Sequence, residues 1–431
     1  MNPYAITLLC LTGLLLLVLP RRWAPLPLLV GTCYITQAQG IEIGPFSFPF
    51  LRLLILVGFV RLLLRREWKG VQSNRLDGVF LLWAVWALLS AIWHKDPGGE
   101  LVYRMGLVYD YLGLYFIFRS FLRSLDDLVR VATLTAVLLL PVASEMIYEK
   151  VTAHNLFSYF GGVPPTPTIR EGNLRAQGPF RHAILAGTVG AVMFPWMVGL
   201  WRFRRGAAFW GGTACLVMVV TCRSSGPVGS LLAALVGLAF WRFRDHMRFV
   251  RWAALLGYVA LDVVMKAPAY YLIARVDFAG GSTGWHRAQL IESAIEHIGE
   301  WWWAGTDYTR HWMPTGVSWS PDHTDITNHY LHFGVIGGLP LLLLFVLILW
   351  EGFKNIGLAI RERAAEPGTR FLIWAVGASL FANAVTCLAV SYFDQSFLFL
   401  CLTLAATRAG AATYSNASTP DAEENILAST L

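Results

Sequence analysis

The chain has 431 residues, of which 56% are hydrophobic and 14% are charged, and its formal net charge is +7. A soluble domain carries roughly 25% charged residues, so this composition excludes a water-soluble globular protein. The apolar residues form blocks of about 16–22 residues, close to the roughly 20 that a helix needs to cross a bilayer. We therefore predict a single integral membrane domain over residues 1–431, surrounded by membrane lipids and without a nucleic-acid partner.

The apolar blocks do not show the alternating pattern of a membrane barrel, so the predicted fold class is an all-α polytopic membrane protein. The first block, YAITLLCLTGLLLLVLP, has no basic region before it and no small-residue cleavage site, which favours a retained span over a signal peptide. Counting this block gives about 13 transmembrane helices, and omitting it gives about 12. In chain order the predicted spans are 4–20, 23–38, 48–64, 78–94, 101–118, 128–147, 181–201, 207–222, 226–241, 252–268, 331–350, 371–390 and 395–408.

Basic clusters follow every second predicted span. They therefore share one side of the predicted topology, and the positive-inside rule makes that side cytoplasmic. This topology puts the N-terminus outside and makes residues 409–431 a cytoplasmic tail. The clusters lie at 21–23, 65–75, 119–124, 202–205, 242–251 and 354–370.

Two connections on the predicted outer side are long, one at 148–180 and a larger one at 268–330. They are rich in Trp, Gly, Pro and Tyr and poor in Lys and Glu, which favours ordered loops over disorder. We expect the larger, periplasmic loop to contain short helices, because AQLIESAIEHIGEWWWAG has helical spacing. The apolar face of that helix is predicted from Leu290, Ile291, Ala294, Ile295 and Ile298.

Arginines on the outer side run against the topology bias and need an explanation. A guanidinium pairs with phosphate oxygens through two parallel hydrogen bonds, which predicts a site for a phosphate-bearing lipid. Arg175, Arg181 and Arg287 are the favoured ligands, because each lies beside a glycine-rich, aromatic turn. Arg170 and Arg310 are expected instead to reach lipid headgroups or to form ion pairs at helix ends.

The stretch SPDHTDITNHYLHFGVIGG gathers histidines and aspartates at the outer end of the predicted span 331–350. Ionisable groups at membrane depth are costly and are retained mainly for function. An imidazole can take a proton from a hydroxyl, and His323 is the favoured base. Asp325 and His329 are expected to bind substrate. The spacing of these groups matches no known ligand set, so no metal is predicted.

Three stretches of the chain carry a resemblance to a known family. RAQGPFRHAILAG at 175–187 looks like an Arg-x-x-Gly-x-Phe turn at the outer end of a span. GWHRAQLIESAIEHIGEWWWAGTDY at 284–308 is similar to a Gly-Arg…Ala…Gly-x-Gly segment, and HTDITNHYLHFGVIGGL at 323–339 is similar to a His-Asn-x-x-Leu…Gly-x-x-Gly segment. In this order the three stretches resemble the O-antigen ligase and polymerase-like family of bacterial inner-membrane glycosyltransferases. Thr324 and the Gly-Thr-Asp at 305–307 depart from the family's pattern.

The resemblance implies an inverting transfer or polymerisation of a glycan from an undecaprenyl-diphosphate-linked donor onto a hydroxyl of an acceptor glycan or glycolipid. It implies no metal and no cofactor, and an active site that faces the periplasm from the bacterial inner membrane. Other proteins of exopolysaccharide or lipopolysaccharide biosynthesis are implied as partners.

The resemblance also implies roles for individual residues. Arg287 and Arg175 would hold the leaving diphosphate, with Arg181 in support. His323, or His329 in its place, would orient or deprotonate the acceptor hydroxyl. Trp285 is expected to stack on a sugar ring.

A transporter or flippase of lipid-linked glycans is the main alternative. Such a protein places polar residues near the bilayer midplane and often contains repeats. The sequence shows no repeat, and its main charges within spans are Asp110 and Asp262. This pattern favours chemistry at one membrane surface. A ligase and a polymerase differ only in the acceptor, and the sequence leaves both open.

Overall fold

The structure is a computed structural model that describes residues 1–69, 71–275, 284–363 and 366–409. It is 72% helical, which confirms the predicted all-α class. The predicted tail, from residue 410 onward, lies outside the described residues, as does 276–283 of the larger loop. The helices are α1 (Pro3–Val18), α2 (Pro25–Tyr34), α3 (Phe50–Leu64), α4 (Arg75–Leu89), α5 (Pro97–Phe121), α6 (Leu125–Thr152), α7 (Ala183–Leu200), α8 (Arg205–Thr221), α9 (Ser225–Ala239), α10 (Met247–Val264), α11 (Gly284–Glu296), α12 (Ile298–Trp301), α13 (His329–Glu362), α14 (Pro367–Thr386) and α15 (Phe397–Ala406).

Seven helical stretches of the described chain are long and apolar enough to cross a membrane. Three shorter apolar helices, α1, α8 and α15, accompany them. The helices therefore have the lengths and composition of a multi-pass membrane protein. The seven stretches are Arg75–Trp93, Pro97–Phe121, Leu125–Thr152, Ala183–Leu200, Ser225–Val264, His329–Glu362 and Pro367–Thr386.

The predicted count of spans differs from these seven because several predicted spans form short helices. The predicted span 23–38 is the 10-residue helix α2, and 395–408 is the 10-residue helix α15. At 1.5 Å per residue such a helix is about 15 Å long, half of the roughly 30 Å hydrocarbon core. The predicted spans 226–241 and 252–268 become α9 and α10, joined by a 3-10 helix at Phe240–His246 into one apolar stretch.

Helix α7 lies inside the bundle and packs against α8, α9 and α14. Its small residues allow this, because a side chain on Gly190 would stand 2.6 Å from the carbonyl oxygen of Cys215 on α8. Likewise, a side chain on Gly199 would stand 2.7 Å from Ala375 on α14. Small residues at such positions let membrane helices approach closely. Helix α10 is the opposite case, because none of its residues is buried.

The predicted outer segments meet at one end of the helices, which we call the loop end. It comprises the described parts of 90–97, 153–182, 222–224, 265–328 and 387–396. The Ala176 N–H donates to the Thr221 carbonyl at 3.2 Å, and the His329 N–H donates to Cys387 at 2.8 Å. These contacts join segments that are far apart in the chain.

The predicted basic clusters lie at the opposite ends of the same helices. Arg21 pairs with Asp127 at 3.0 Å, so the clusters at 21–23 and 119–124 lie together. Arg370 pairs with Asp245 at 3.9 Å and joins the clusters at 242–251 and 354–370. The grouping that the sequence predicts is therefore present as a basic end, opposite the loop end.

Helix α13 is interrupted near the loop end at Gly337 and Gly338, where the backbone leaves the helical conformation. Gly338 has φ +74°, and a side chain there would meet the carbonyl oxygen of Trp303. The Leu339 N–H donates to Trp302 at 2.8 Å instead of to its own helix. The segment 302–306 therefore packs backbone to backbone against the break, and only glycine fits at Gly338.

Polar side chains satisfy the carbonyl groups that the break releases. Arg104 of α5 is fully buried and donates to the carbonyl oxygen of Ile336 at 2.5 Å. The indole N–H of Trp86 donates to Gly337 at 2.7 Å. An interrupted helix inside a membrane protein needs such partners, because an unpaired backbone group there is costly.

Candidate functional site

A β-hairpin at the loop end carries two arginines. Strands β3 (Thr168–Arg170) and β4 (Asn173–Arg175) pair antiparallel, with Thr168 opposite Arg175 and Arg170 opposite Asn173. Since side chains alternate along a strand, these four residues share one face of the hairpin. Arg170 and Arg175 therefore lie on the same surface. The other hairpin, β1 (Gly40–Ile43) with β2 (Phe46–Pro49), carries no arginine.

The turn RAQGPFRH continues from β4 into α7. Glu149 of α6 accepts the backbone N–H groups of Gln177 and Gly178, at 2.9 and 2.8 Å. Gly178 has φ +56°, which glycine adopts without strain. The His182 Nδ1 then accepts the Ile184 N–H at 3.2 Å and caps α7. The turn is thus held at both ends, which fixes Arg175 at its start.

Arg287 lies in the first turns of α11 and is 8% exposed. Its side chain makes no hydrogen bond to any residue that the structure describes, and its Nε is buried without a partner. A buried donor without an acceptor, as at this Nε, costs about 1–3 kcal/mol. This cost is removed if an anion from outside the chain binds the guanidinium.

The positive charge of Arg170, on the hairpin, affects the pKa of Arg287. Burial lowers the pKa of Arg287, the charge of Arg170 lowers it further, and Asp325 partly offsets the shift. Burial also lowers the pKa of Arg175, where Cys222 opposes the shift and Arg170 adds to it. Arg170 is therefore close enough to act on both arginines. Arg170, for which the sequence predicted only a lipid or helix-end role, thus lowers the pKa of both Arg175 and Arg287.

The pKa of His182 is also lowered by the positive charges of Arg175 and Arg170. Burial lowers its pKa to about 4, with further contributions from Arg175 and then Arg170. A neutral imidazole next to these arginines adds a hydrogen-bonding group without adding charge. We call Arg170, Arg175, His182 and Arg287 the arginine group. Asp325 is the carboxylate that acts on it within the described part of the chain.

His323 makes no contact with the arginine group among the described residues. Its Nδ1 pairs with the Ser320 hydroxyl at 2.7 Å, and its ring stacks on Trp319 with centroids 5.5 Å apart. These contacts, the ones its ring makes within the described chain, include neither Arg175 nor Arg287. Asp325, two residues after His323, links this segment to α11. Its charge raises the pKa of Arg287, and its carbonyl oxygen lies 3.3 Å from the His286 Nε2.

The remaining predicted site residues lie in different surroundings. His329 is 1% exposed, and its ring nitrogens face the Tyr111 hydroxyl on one side and Ser391 and Tyr392 on the other. These contacts hold the start of α13 and leave no ring nitrogen for a substrate. Arg181 is exposed and its backbone N–H donates to Asp394 at 3.1 Å. Trp285 is exposed on α11, on a different face of the helix from the buried Arg287.

Sequence reasoning missed a contact between His94 and Asp307. The His94 Nδ1 lies 2.5 Å from the Asp307 carboxylate, and its Nε2 lies 3.0 Å from the Ala304 carbonyl. The Lys95 N–H also donates to Asp307, at 2.8 Å. This contact attaches the Gly-Thr-Asp segment at 305–307 to the end of the 3-10 turn Ser90–Trp93, which follows α4. No local pattern signals a pair of residues more than two hundred positions apart.

A local signal was present for Arg170 and His182. TIREGNLR has a two-residue turn, Glu171–Gly172, between extended segments, which is typical of a hairpin. His182 stands directly before an apolar helix, where a capping side chain is expected. The hairpin position of Arg170 and the capping position of His182 could therefore have been predicted from the local sequence.

The chain matches no protein-family model and no curated protein.

Proposed function

We propose that the chain transfers or polymerises a glycan from a polyprenyl-diphosphate donor, of the undecaprenyl type, onto an acceptor sugar hydroxyl at the loop end, as a member of an O-antigen ligase and polymerase-like family. In this proposal the loop end faces the periplasm of a bacterial inner membrane. The observation that carries it is Arg287, which is 8% exposed and whose Nε is buried without a hydrogen-bond partner among the described residues. A diphosphate beside a bilayer is an anion that such a group can bind.

The arginine group has the composition of a diphosphate site. Arg170 and Arg287 place positive charge against the one carboxylate, Asp325, that contributes to the pKa of Arg287, which favours an anionic ligand. Arginine presents a planar set of donors that matches phosphate oxygens. Burial strengthens such contacts because water does not screen them. This geometry supports binding of the donor by its diphosphate.

The reaction then needs a nucleophile and a proton acceptor. The acceptor hydroxyl oxygen forms a bond to the anomeric carbon, while the bond from that carbon to the diphosphate oxygen breaks and its electron pair leaves with the diphosphate. The arginines offset the charge that develops on the leaving group. The hydroxyl proton goes to the imidazole of His323, whose Nε2 carries the free lone pair when Nδ1–H donates to Ser320.

The contacts within the spans support surface chemistry over translocation. Asp110 accepts two hydrogen bonds from Arg52, at 2.9 and 2.8 Å, and Asp262 accepts the Ala269 N–H at 2.8 Å. A transporter relies on polar groups that remain available along its path through the bilayer. The two acids that the sequence predicted within spans are therefore explained by structural contacts.

The test is transfer by the purified protein, reconstituted with an undecaprenyl-diphosphate-linked glycan and an acceptor glycan. Arg287→Ala should lower the transfer rate by at least about 100-fold, the usual cost of removing one group that stabilises developing charge. Arg287→Lys should restore part of it, since it keeps the charge and loses the paired donors.

Arg205→Ala is the matched control, because Arg205 is exposed at the start of α8 on the basic end. This variant should transfer the glycan at the wild-type rate. Wild-type transfer by Arg287→Ala would rule out the proposed diphosphate site. Equal losses in Arg287→Ala and Arg205→Ala would show that the effect is not specific to that site.

A further inference from the structure

The larger loop contains a cluster of metal-binding side chains outside the arginine group. His297, Glu300 and His311 each offer one ligand atom, and the three atoms lie within 4.8 Å of one another. Two imidazoles and one carboxylate form a recurrent set of three protein ligands for zinc. We propose that these three residues bind a divalent transition-metal ion, Zn²⁺, with a fourth position open to solvent.

The hydrogen bonds of His297 prepare it as a ligand. Its Nδ1 lies 2.8 Å from the carbonyl oxygen of Ser293, one turn earlier, so Nδ1 carries the proton and donates it. The lone pair is then on Nε2. Histidines that bind metals almost always donate their other ring N–H to a carbonyl or carboxylate in this way.

Glu300 and His311 face each other directly. The His311 Nε2 lies 3.1 and 3.0 Å from the two oxygens of Glu300. Ligands of a tetrahedral zinc ion are about 3.3–3.5 Å apart, given bonds of about 2.0–2.2 Å. The pair therefore opens by only a few tenths of an ångström to admit the ion. The rings of His297 and His311 also lie close together, with centroids 4.7 Å apart, so all three ligands surround one point.

The surroundings hold these side chains in place. The Trp312 indole N–H donates to Glu300 at 3.3 Å, and the Tyr308 ring stacks on His311 with centroids 5.0 Å apart and planes within 9°. Ligands that are fixed in advance bind a metal with less loss of conformational entropy. The site is also accessible, since the side chains of His311 and Glu300 are 34% and 40% exposed.

A second group of this kind lies beside a buried arginine. His94, Glu100 and Asp307 also bring their ligand atoms within 4.8 Å of one another. However, Arg104 donates to Glu100 at 3.3 Å, so a positive charge already lies against that carboxylate. A second cation there would be repelled. The cluster at His297, Glu300 and His311 is therefore the better candidate.

The ion would join two parts of the larger loop. His297 and Glu300 belong to the helical part that follows Arg287, whereas His311 lies in the 3-10 turn Arg310–Trp312 that leads towards His323. An ion between them would fix the distance between those parts. The inference does not depend on the proposed glycan transfer.

The test is zinc binding by the full-length protein, purified in detergent with a tag that contains no histidine and then treated with a chelator. Isothermal titration should show one Zn²⁺ per chain, and Mg²⁺ should give no comparable heat, because imidazole ligands favour transition metals. His311→Ala and Glu300→Gln should each weaken zinc binding by at least about 100-fold.

His246→Ala is the matched control, because His246 is exposed at the basic end. It should bind zinc as the wild type does. In a thermal melt, zinc should stabilise the wild type and this control but not His311→Ala, which separates loss of the site from loss of folding. If wild-type binding equals that of His311→Ala, or if Mg²⁺ binds as tightly as Zn²⁺, the proposal is overturned and the cluster is a surface ion pair only.

Discussion

Arg104 on α5 donates a hydrogen bond to the carbonyl oxygen of Ile336, immediately before the break in α13. The same guanidinium reaches the Ser90 hydroxyl at 2.7 Å and Glu100 at 3.3 Å. One buried cation thus joins α4, α5 and α13 beneath the larger loop. These contacts give Arg104 a structural role at the break.

Arg104→Met should destabilise the protein strongly. The substitution keeps an unbranched apolar stem but leaves the Ile336 carbonyl without its donor, at about 1–3 kcal/mol for each buried group that loses its partner. The thermal midpoint in detergent should fall by several degrees. Arg65→Met, at an exposed arginine of the basic end, should change it little. An unchanged midpoint for Arg104→Met would contradict the proposed role at the break.

Gly338→Ala should prevent or severely weaken folding. The added methyl group would collide with the carbonyl oxygen of Trp303, and the residue would have to adopt φ +74°. Gly78→Ala is the matched comparison, since Gly78 lies within α4 with open space around it. That change should be neutral or stabilising by up to about 1 kcal/mol. The yield of monodisperse protein and the thermal midpoint would measure both effects.

Arg170→Ala should weaken binding of the lipid donor by about tenfold, because one of three guanidinium groups is lost. Arg170→Lys should retain most of the affinity, since it preserves the charge that acts on Arg175 and Arg287. Binding to vesicles that contain a polyprenyl diphosphate, compared with vesicles of uncharged lipid alone, provides the measurement. Equal binding by all three proteins would place Arg170 outside the donor site.

Stability should depend on His182 in acid. Its pKa is lowered from an ordinary value of 6.5 to about 4 in the folded protein, so the unfolded chain takes up a proton more readily. Folding free energy is then lost as the pH falls from about 6.5 to about 4. His182→Asn keeps a capping side chain on α7 but does not titrate. The thermal midpoint of this variant should fall less than that of the wild type over this pH range; parallel curves would contradict the assignment.

Composition and charge pattern predicted the helical class and the separation of a loop end from a basic end. They overestimated the lengths of α2 and α15, because an apolar block does not reveal where its helix stops. The break in α13 was also hidden. The glycines of GVIGG do not reveal it, because the backbone groups that the break releases are satisfied by Arg104, Trp86 and the segment 302–306, which are distant in the chain.

The candidate site was predictable in part. Arg175 and Arg287 were selected because they stand beside glycine-rich turns, and in the structure Arg170 lowers the pKa of both. The face shared by Arg170 and Arg175 follows from hairpin alternation, which the sequence analysis did not apply to TIREGNLR. The predicted apolar face of α11 was wrong in part, since Leu290 and Ala294 are buried whereas Ile295 is 54% exposed. Contacts between distant segments, such as His94 with Asp307, required the fold.

Helix α10 has no buried residue, and its Arg251 lies over the ring of Trp350 at 5.6 Å. Within a bilayer the rest of its surface is solvated by acyl chains, so its apolar residues are selected for partitioning into lipid and not for fit against a neighbour. Exchanges among Leu, Val, Ile and Phe along α10 should therefore accumulate freely between homologues. On α7, where every face is occupied, the same exchanges would leave cavities or collisions.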